Sequence, residues 1–141
     1  MLHYTTYTEA DSDQWVTFVH GAGGSSTIWF RQIRDFKKHF NVLLLDLRGH
    51  GNSKSNLVKA LQRYTFDSVT DDIIEVLDHL GIKKSHFIGI SLGTILIRNI
   101  EDRYPNRIHA MVLGGAIVKL DFRSQLLMKL GNWFKSMIPY L

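Results

Sequence analysis

The chain has no cysteine and only two prolines among its 141 residues. The absence of cysteine excludes disulfides, thiolate metal sites and a cysteine nucleophile. No apolar run approaches the roughly 20 residues that a membrane-spanning helix needs. Residues 1–6 lack the basic start and the apolar run of a secretory signal. We therefore expect a cytoplasmic protein that makes no membrane contact.

Clustered charge of one sign is also lacking. The formal net charge is +4, but the basic residues are scattered, and the short pairs Lys37-Lys38 and Lys83-Lys84 suit helix ends or loops. A nucleic-acid-binding face needs a basic stripe or patch, so we expect no nucleic-acid partner. The hydrophobic share of 45% and the charged share of 21% are ordinary for a globular domain with a buried core.

Apolar runs with strand character alternate with amphipathic segments along most of the chain. The predicted strands cover residues 2–8, 15–19, 42–45, 87–90 and 108–113. The first predicted helix begins after Ser25-Ser26, which could cap it, and runs through Trp29, Ile33 and Phe36. The other predicted helices cover residues 66–80 and 92–104. This alternation predicts an α/β fold with a mostly parallel sheet and helices on both faces. The Tyr- and Thr-rich first strand is expected at a sheet edge.

The tail from residue 121 to residue 141 differs from this pattern. It carries a wide apolar stripe, interrupted at Gly131, that consists of Phe122, Leu126, Leu127, Leu130, Phe134, Met137 and Ile138. Such a stripe could belong to a core helix, a lid over a pocket or a surface helix, and its few basic residues argue against membrane contact. We divide the chain into a core, 1–120, and the start of a lid or displaced helical segment, 121–141.

The motif Gly89-Ile90-Ser91-Leu92-Gly93 directly follows an apolar strand and directly precedes a helix. Gly-x-Ser-x-Gly in this position is typical of a nucleophile elbow. A serine in so sharp a turn has a strained backbone, and the residues two before and two after it must be small, as Gly89 and Gly93 are. The turn lifts the hydroxyl off the sheet, and the helix start favours nearby negative charge. A turn without any chemistry is the alternative.

A glycine-rich loop, His20-Gly21-Ala22-Gly23-Gly24, follows another strand. Such a loop frees backbone N–H groups to stabilise the negative oxygen of a tetrahedral intermediate. The expected donors are the N–H groups of Ala22 and Leu92. A phosphate-binding loop is the rival interpretation, but neither the Gly-x-Gly-x-x-Gly spacing nor the Gly-Lys-Ser/Thr ending is present.

A third motif after the central strand completes a recognisable order: Asp46-Leu47-Arg48-Gly49-His50-Gly51-Asn52-Ser53. Together with His20-Gly21, Trp29 and the elbow, it resembles the α/β-hydrolase fold superfamily, in particular its esterase, lactonase and peptidase-like branch, over residues 2 to about 120. The resemblance implies a small-molecule ester or acyl substrate and a nucleophile at Ser91. It also implies that Ala22 and Leu92 donate to the oxyanion of the tetrahedral intermediate. It also implies structural roles for His20, Gly21, Asp46, Arg48 and His50.

Two partners of the nucleophile are missing from this pattern. In the family an acid and then a histidine follow the serine, yet the one later histidine, His109, starts a strand. Asp121 is a candidate acid, with a surface role as the alternative. We therefore expect the N-terminal portion of a hydrolase that lacks the last strands and is inactive alone. A non-catalytic binding or assembly protein is the alternative, and no metal or cofactor is implied.

Loss of the last strands would leave the strand at 108–113 as an open edge. Open apolar edges pair with other chains, and exposed apolar patches drive association. The sequence therefore predicts a homodimer or a higher assembly, formed through this edge or by exchange of the segment 121–141 between chains.

Overall fold

The computed structural model of the chain describes residues 1–53 and 64–116. Its strands are β1 (His3–Tyr7), β2 (Trp15–Val19), β3 (Asn41–Asp46), β4 (Ser85–Ile90) and β5 (Ile108–Gly114). Its helices are α1 (Phe30–Phe36), which continues the 3₁₀ turn Ser26–Trp29, then α2 (Phe66–His79) and α3 (Leu92–Arg103). Every predicted strand and helix within these residues is present, with small shifts at the ends. The tail prediction for 121–141 lies outside the described residues.

The strands form one sheet in the order β1-β3-β2-β4-β5. Strands β2 to β5 run parallel, and β1 is antiparallel to β3 at one edge. The predicted α/β class, the mostly parallel sheet and the edge position of β1 are confirmed. At the other edge, β5 pairs only with β4 among the described residues, and Val112 on it is 60% exposed.

Helices cover both faces of the sheet, as predicted. On one face, Ile33 and Phe36 of α1 pack against Phe18 and Leu44. On the other face, α2 and α3 pack against the opposite side chains of the same strands, with a core that includes Leu43, Leu45, Ile73, Leu77, Phe87 and Ile97. Burial of β3 on both sides explains its unbroken apolar run. No helix of the described part has both the length and the apolar character to cross a bilayer.

The helix ends show one correct and one wrong prediction. Helix α2 ends before Gly81, whose φ is +68°, in the left-handed region that glycine tolerates. The predicted caps of the first helix are wrong: the Ser25 side chain makes no capping bond, and the Ser26 N–H donates to the Asp46 carboxylate at 2.7 Å. A buried carboxylate is a stronger acceptor than a hydroxyl, so a residue at the end of β3 caps this turn.

Candidate active site

Ser91 occupies the turn between β4 and α3 with φ 49° and ψ −117°. It is the one non-glycine residue with positive φ in the described part of the chain. Its N–H donates to the Gly114 carbonyl at 3.0 Å, and its own carbonyl accepts from the Thr94 N–H at 2.9 Å and the Thr94 hydroxyl at 2.6 Å. Strained backbone persists only where its surroundings determine it, and these three bonds do so. The residue itself is exposed.

Gly89 and Gly93 allow the elbow to pack closely. A Cβ on Gly93 would overlap the carbonyl oxygen of Val19 at the end of β2. A Cβ on Gly89 would lie 2.5 Å from Ile97 Cδ1 and 2.9 Å from the Gly93 carbonyl carbon. Helix α3 therefore begins against two strands at once, and this contact holds Ser91 at the carboxyl end of β4.

The glycine-rich loop lies directly beside Ser91. A Cβ on Gly21 would lie 3.2 Å from Ser91 Cβ and 3.7 Å from Ser91 Oγ. Ala22 follows and is exposed. Within residues 1–53 and 64–116, no protein acceptor takes a hydrogen bond from the N–H of Ala22 or of Leu92. Two unpaired amides thus follow the two residues in contact, Gly21 and Ser91.

His20 holds the glycine-rich loop from beneath. Its ring is completely buried, and the Leu47 N–H donates to Nε2 at 3.0 Å. Nδ1 therefore carries the proton of the neutral ring and donates to the Gly21 carbonyl at 2.7 Å. Because the peptide is planar and trans, this bond directs the Ala22 N–H of the same peptide away from His20. Burial lowers the pKa of His20, and its neighbour His50 adds to the effect, against the opposing influence of the Gly21 bond.

Asp46 joins the 3₁₀ turn that follows the glycine-rich loop to the loop after β3. Its carboxylate accepts from the Ser26 N–H at 2.7 Å and from the Asn52 N–H at 2.9 Å, and His3 Nδ1 lies 3.3 Å away. Burial on its own would raise the pKa of Asp46, but the two backbone donors outweigh it and hold the pKa below its usual range. A Cβ on Gly51 would overlap this carboxylate, so the loop after β3 needs glycine there.

Arg48 fastens the same loop to α2. Its Nε donates to Asp72 at 2.7 Å, with both side chains almost fully buried, and Nη2 donates to the Ser68 carbonyl at 3.3 Å. The hydrogen bond to Asp72 raises the pKa of Arg48 despite burial. The guanidinium also lies 5.6 Å from the centre of the Tyr64 ring. Loop and helix are therefore joined by a buried ion pair.

All seven histidines lie in the described residues, and none is hydrogen-bonded to the Ser91 hydroxyl. His109 stacks on His86 at 5.1 Å between ring centres. His86 lies five residues before Ser91, and five residues of extended chain span about 16 Å. His50 Nδ1 donates to the Arg48 carbonyl at 2.9 Å. Asp121 lies outside the described residues. The described residues contain no group of three or more side chains that could bind a metal ion together.

Thr94 is the residue of the site that sequence reasoning missed. It is buried and bonds the Ser91 carbonyl through both its N–H and its hydroxyl. A threonine three residues after a helix N-cap can make such a local bond, so its spacing from Ser91 was the available signal.

The comparisons with known proteins agree with this fold. Residues 14–139 match the family model described as the alpha/beta hydrolase fold. The chain is 29% identical over 119 residues to 3-oxoadipate enol-lactonase 2 of Acinetobacter baylyi, and 27% identical over 140 residues to epoxide hydrolase 3 of Mus musculus. It also superposes on the enol-lactonase of Burkholderia xenovorans with a TM-score of 0.69 at 29% identity, and on a hydrolase of Pseudomonas aeruginosa with 0.78 at 28% identity.

These matches cover most of this chain but only part of each relative. They include 84% and 99% of the chain against 43% and 37% of the two curated relatives. For the two structures they include 78% and 93% of the chain against 41% and 48% of the other protein. The chain thus spans less than half the length of these relatives. Its matched region, its sheet order and its strained serine turn together establish that it belongs to the α/β-hydrolase fold family.

Proposed function

We propose that Ser91 is the nucleophile of a hydrolase that cleaves ester or related acyl bonds of small molecules. The observation that carries the proposal is the strained, exposed Ser91 with two unpaired amides next to it, those of Ala22 and Leu92. Strain of this kind is concentrated at functional sites. Unpaired amides beside a nucleophile match the needs of an oxyanion.

The reaction would proceed through an acyl-enzyme. Ser91 Oγ attacks the substrate carbonyl carbon while a base takes its proton, and the Ala22 and Leu92 amides donate to the negative oxygen. Collapse of this intermediate expels the alcohol, which takes up the proton, and leaves the acyl group on Ser91. Water then attacks the ester with the help of the same base and releases the acid. His20 acts as a positioning residue, since it orients the peptide that carries the Ala22 N–H.

The chain on its own is expected to turn over little or no substrate. A serine hydroxyl is a poor nucleophile without a base, and no histidine of this chain is bonded to Ser91. With p-nitrophenyl acetate, the chain and its Ser91→Ala variant should hydrolyse the ester at the same rate. Substantial turnover that depends on Ser91 would overturn the expectation.

The nucleophile itself can be tested separately. A fluorophosphonate probe, with imidazole supplied as an external base, should modify Ser91 in preference to the other serines. The amides that suit an oxyanion also suit the phosphonyl oxygen. Peptide mass spectrometry would locate the adduct, and the Ser91→Ala variant is the control. Equal modification of several serines, or none at Ser91, would contradict the proposal.

A non-catalytic binding or assembly protein is the second candidate. The observation that favours it is the position of the histidines near the site. His20 and His50 each bond loop backbone and are not bonded to Ser91. The two candidates differ in whether an acid and then a histidine follow in the reading frame of the source gene. Their presence there would favour the enzyme, and their absence would favour the non-catalyst.

We further propose that the chain forms a homodimer or a higher assembly. Strand β5 offers an edge without a partner strand among the described residues, and Val112 on it is 60% exposed. Unprotected edges pair with other chains. Light scattering at micromolar concentration should give at least twice the mass of one chain, 16.2 kDa. A stable monomer would contradict this expectation.

A further inference from the structure

An apolar groove is lined in part by Leu92, the residue that follows Ser91. It has a volume of about 340 Å³ and lies between the starts of α2 and α3, lined by Tyr64, Thr65, Phe66, Val69, Leu92 and Leu96. Leu96 is completely buried at its base, whereas Tyr64 and Phe66 are more than half exposed at its rim. Small-molecule sites occupy concave, mostly apolar pockets of this size or larger.

The polar side-chain groups of the lining residues are already engaged or turned aside. The Thr65 hydroxyl accepts from the Ser68 N–H at 3.1 Å in the cap of α2. The Tyr64 hydroxyl is directed to Gly49, where a Cβ would stand 3.0 Å from it. Beyond the Leu92 amide at its mouth, a polar ligand group would therefore lose water in this groove without gaining a hydrogen bond from a lining side chain, which is unfavourable. The groove fits a hydrocarbon.

A second, different depression lies beside the glycine-rich loop. It measures about 560 Å³ and is lined mainly by glycines and polar residues: Gly23, Gly24, Ser25, Thr27, Ile28, Gly49, His50 and Gly51. It begins two residues after Gly21, which contacts Ser91, whereas the apolar groove begins at Leu92. The two depressions that begin close to Ser91 in the chain therefore differ in character, one being apolar and the other polar.

We propose that the apolar groove binds the acyl chain of the substrate, which would be an ester with an unbranched or aromatic apolar acyl group. This inference rests on the proposed function, because Ser91 and the Leu92 amide hold the carbonyl at the mouth of the groove. The acyl chain then continues from the carbonyl carbon along Leu92 towards Leu96. The polar depression beside the glycine-rich loop accommodates the leaving group.

Binding of acyl products tests the groove without requiring turnover. Octanoate should bind the full chain much more tightly than acetate, by about fourfold for each methylene that becomes buried. In NMR titrations, the signals of Val69, Leu92 and Leu96 should move on octanoate addition. Equal affinity for the two acids, or shifts located elsewhere, would overturn the proposal.

Two variants identify the site. Phe66→Ala removes an exposed rim residue and should weaken octanoate binding several-fold while acetate binding is unchanged. Val69→Trp fills the groove and should abolish the preference for octanoate, whereas Val112→Trp adds the same bulk on β5 and should not. Since Val69→Trp could disturb the core, Phe66→Ala is decisive if that variant does not fold, and an unaltered preference in Phe66→Ala would contradict the proposal.

The outcomes separate this inference from the proposed function. Octanoate preference without phosphonate modification of Ser91 would support an apolar binding groove and contradict the nucleophile. Modification of Ser91 without chain-length preference would support the nucleophile and overturn the groove. If octanol binds in the groove and octanoate does not, the acyl assignment is wrong.

Discussion

Replacement of Gly93 by alanine is expected to lower the melting temperature by on the order of 10 °C or more. The added Cβ would overlap the Val19 carbonyl oxygen and lie 2.9 Å from the Val19 carbonyl carbon. Overpacking in a core costs about 1–3 kcal/mol and occasionally more. Here the neighbour is backbone of a central strand, which cannot rotate away, so the cost should be at the upper end. Thermal unfolding followed by circular dichroism would measure it.

Gly81→Ala is the matched control. Gly81 also requires an unusual backbone, with φ +68°, but a Cβ there would meet no atom within 4 Å. Its cost should be limited to the left-handed conformation, about 1–2 kcal/mol, and should shift the melting temperature by a few degrees. If Gly93→Ala melts no lower than Gly81→Ala, the close approach of α3 to β2 is contradicted.

Removal of one member of the buried pair Arg48–Asp72 should have a comparable effect. Asp72→Leu leaves the Arg48 guanidinium buried without its carboxylate, and breaking such a pair costs about 3–5 kcal/mol. Because Arg48 fastens the loop after β3 to α2, the loss should reach the whole fold. Urea unfolding would give the change in the free energy of unfolding.

A double variant distinguishes lost attraction from an unpaired charge. Arg48→Met combined with Asp72→Leu removes both charges, and apolar replacement of a buried pair is often neutral or stabilising, so most of the stability should return. As a surface control, Asp35→Asn removes an exposed partner of Lys38 and should leave the midpoint unchanged. A double variant as unstable as Asp72→Leu alone would show that packing, not charge, dominates at this position.

The order of strands and helices was predictable because local patterns determine it. Strand β3 is a continuous apolar run, and α2 repeats its apolar residues at helical spacing up to Gly81, so both can be identified without a structure. The glycines of the elbow were equally informative, because a strained serine turn between strand and helix tolerates little else. These parts of the fold follow from residues close together in the chain.

Contacts between distant residues were not predictable from such patterns. The cap of the turn at Ser26 comes from Asp46, 20 residues later, and the fixed tautomer of His20 depends on the Leu47 N–H. Neither contact leaves a periodic signal in the sequence. The apolar groove likewise requires α2 and α3 to begin side by side, which only the sheet order brings about.

The strained backbone of Ser91 affects which substitutions natural selection would favour at position 91. At φ 49° and ψ −117°, a non-glycine residue carries a strain of about 1–3 kcal/mol that glycine would largely avoid. Selection for folding alone would therefore favour glycine at position 91, while selection for a nucleophile would favour serine. Folding and the proposed chemistry favour different residues at this turn, and the residue present is the one that the proposed chemistry needs.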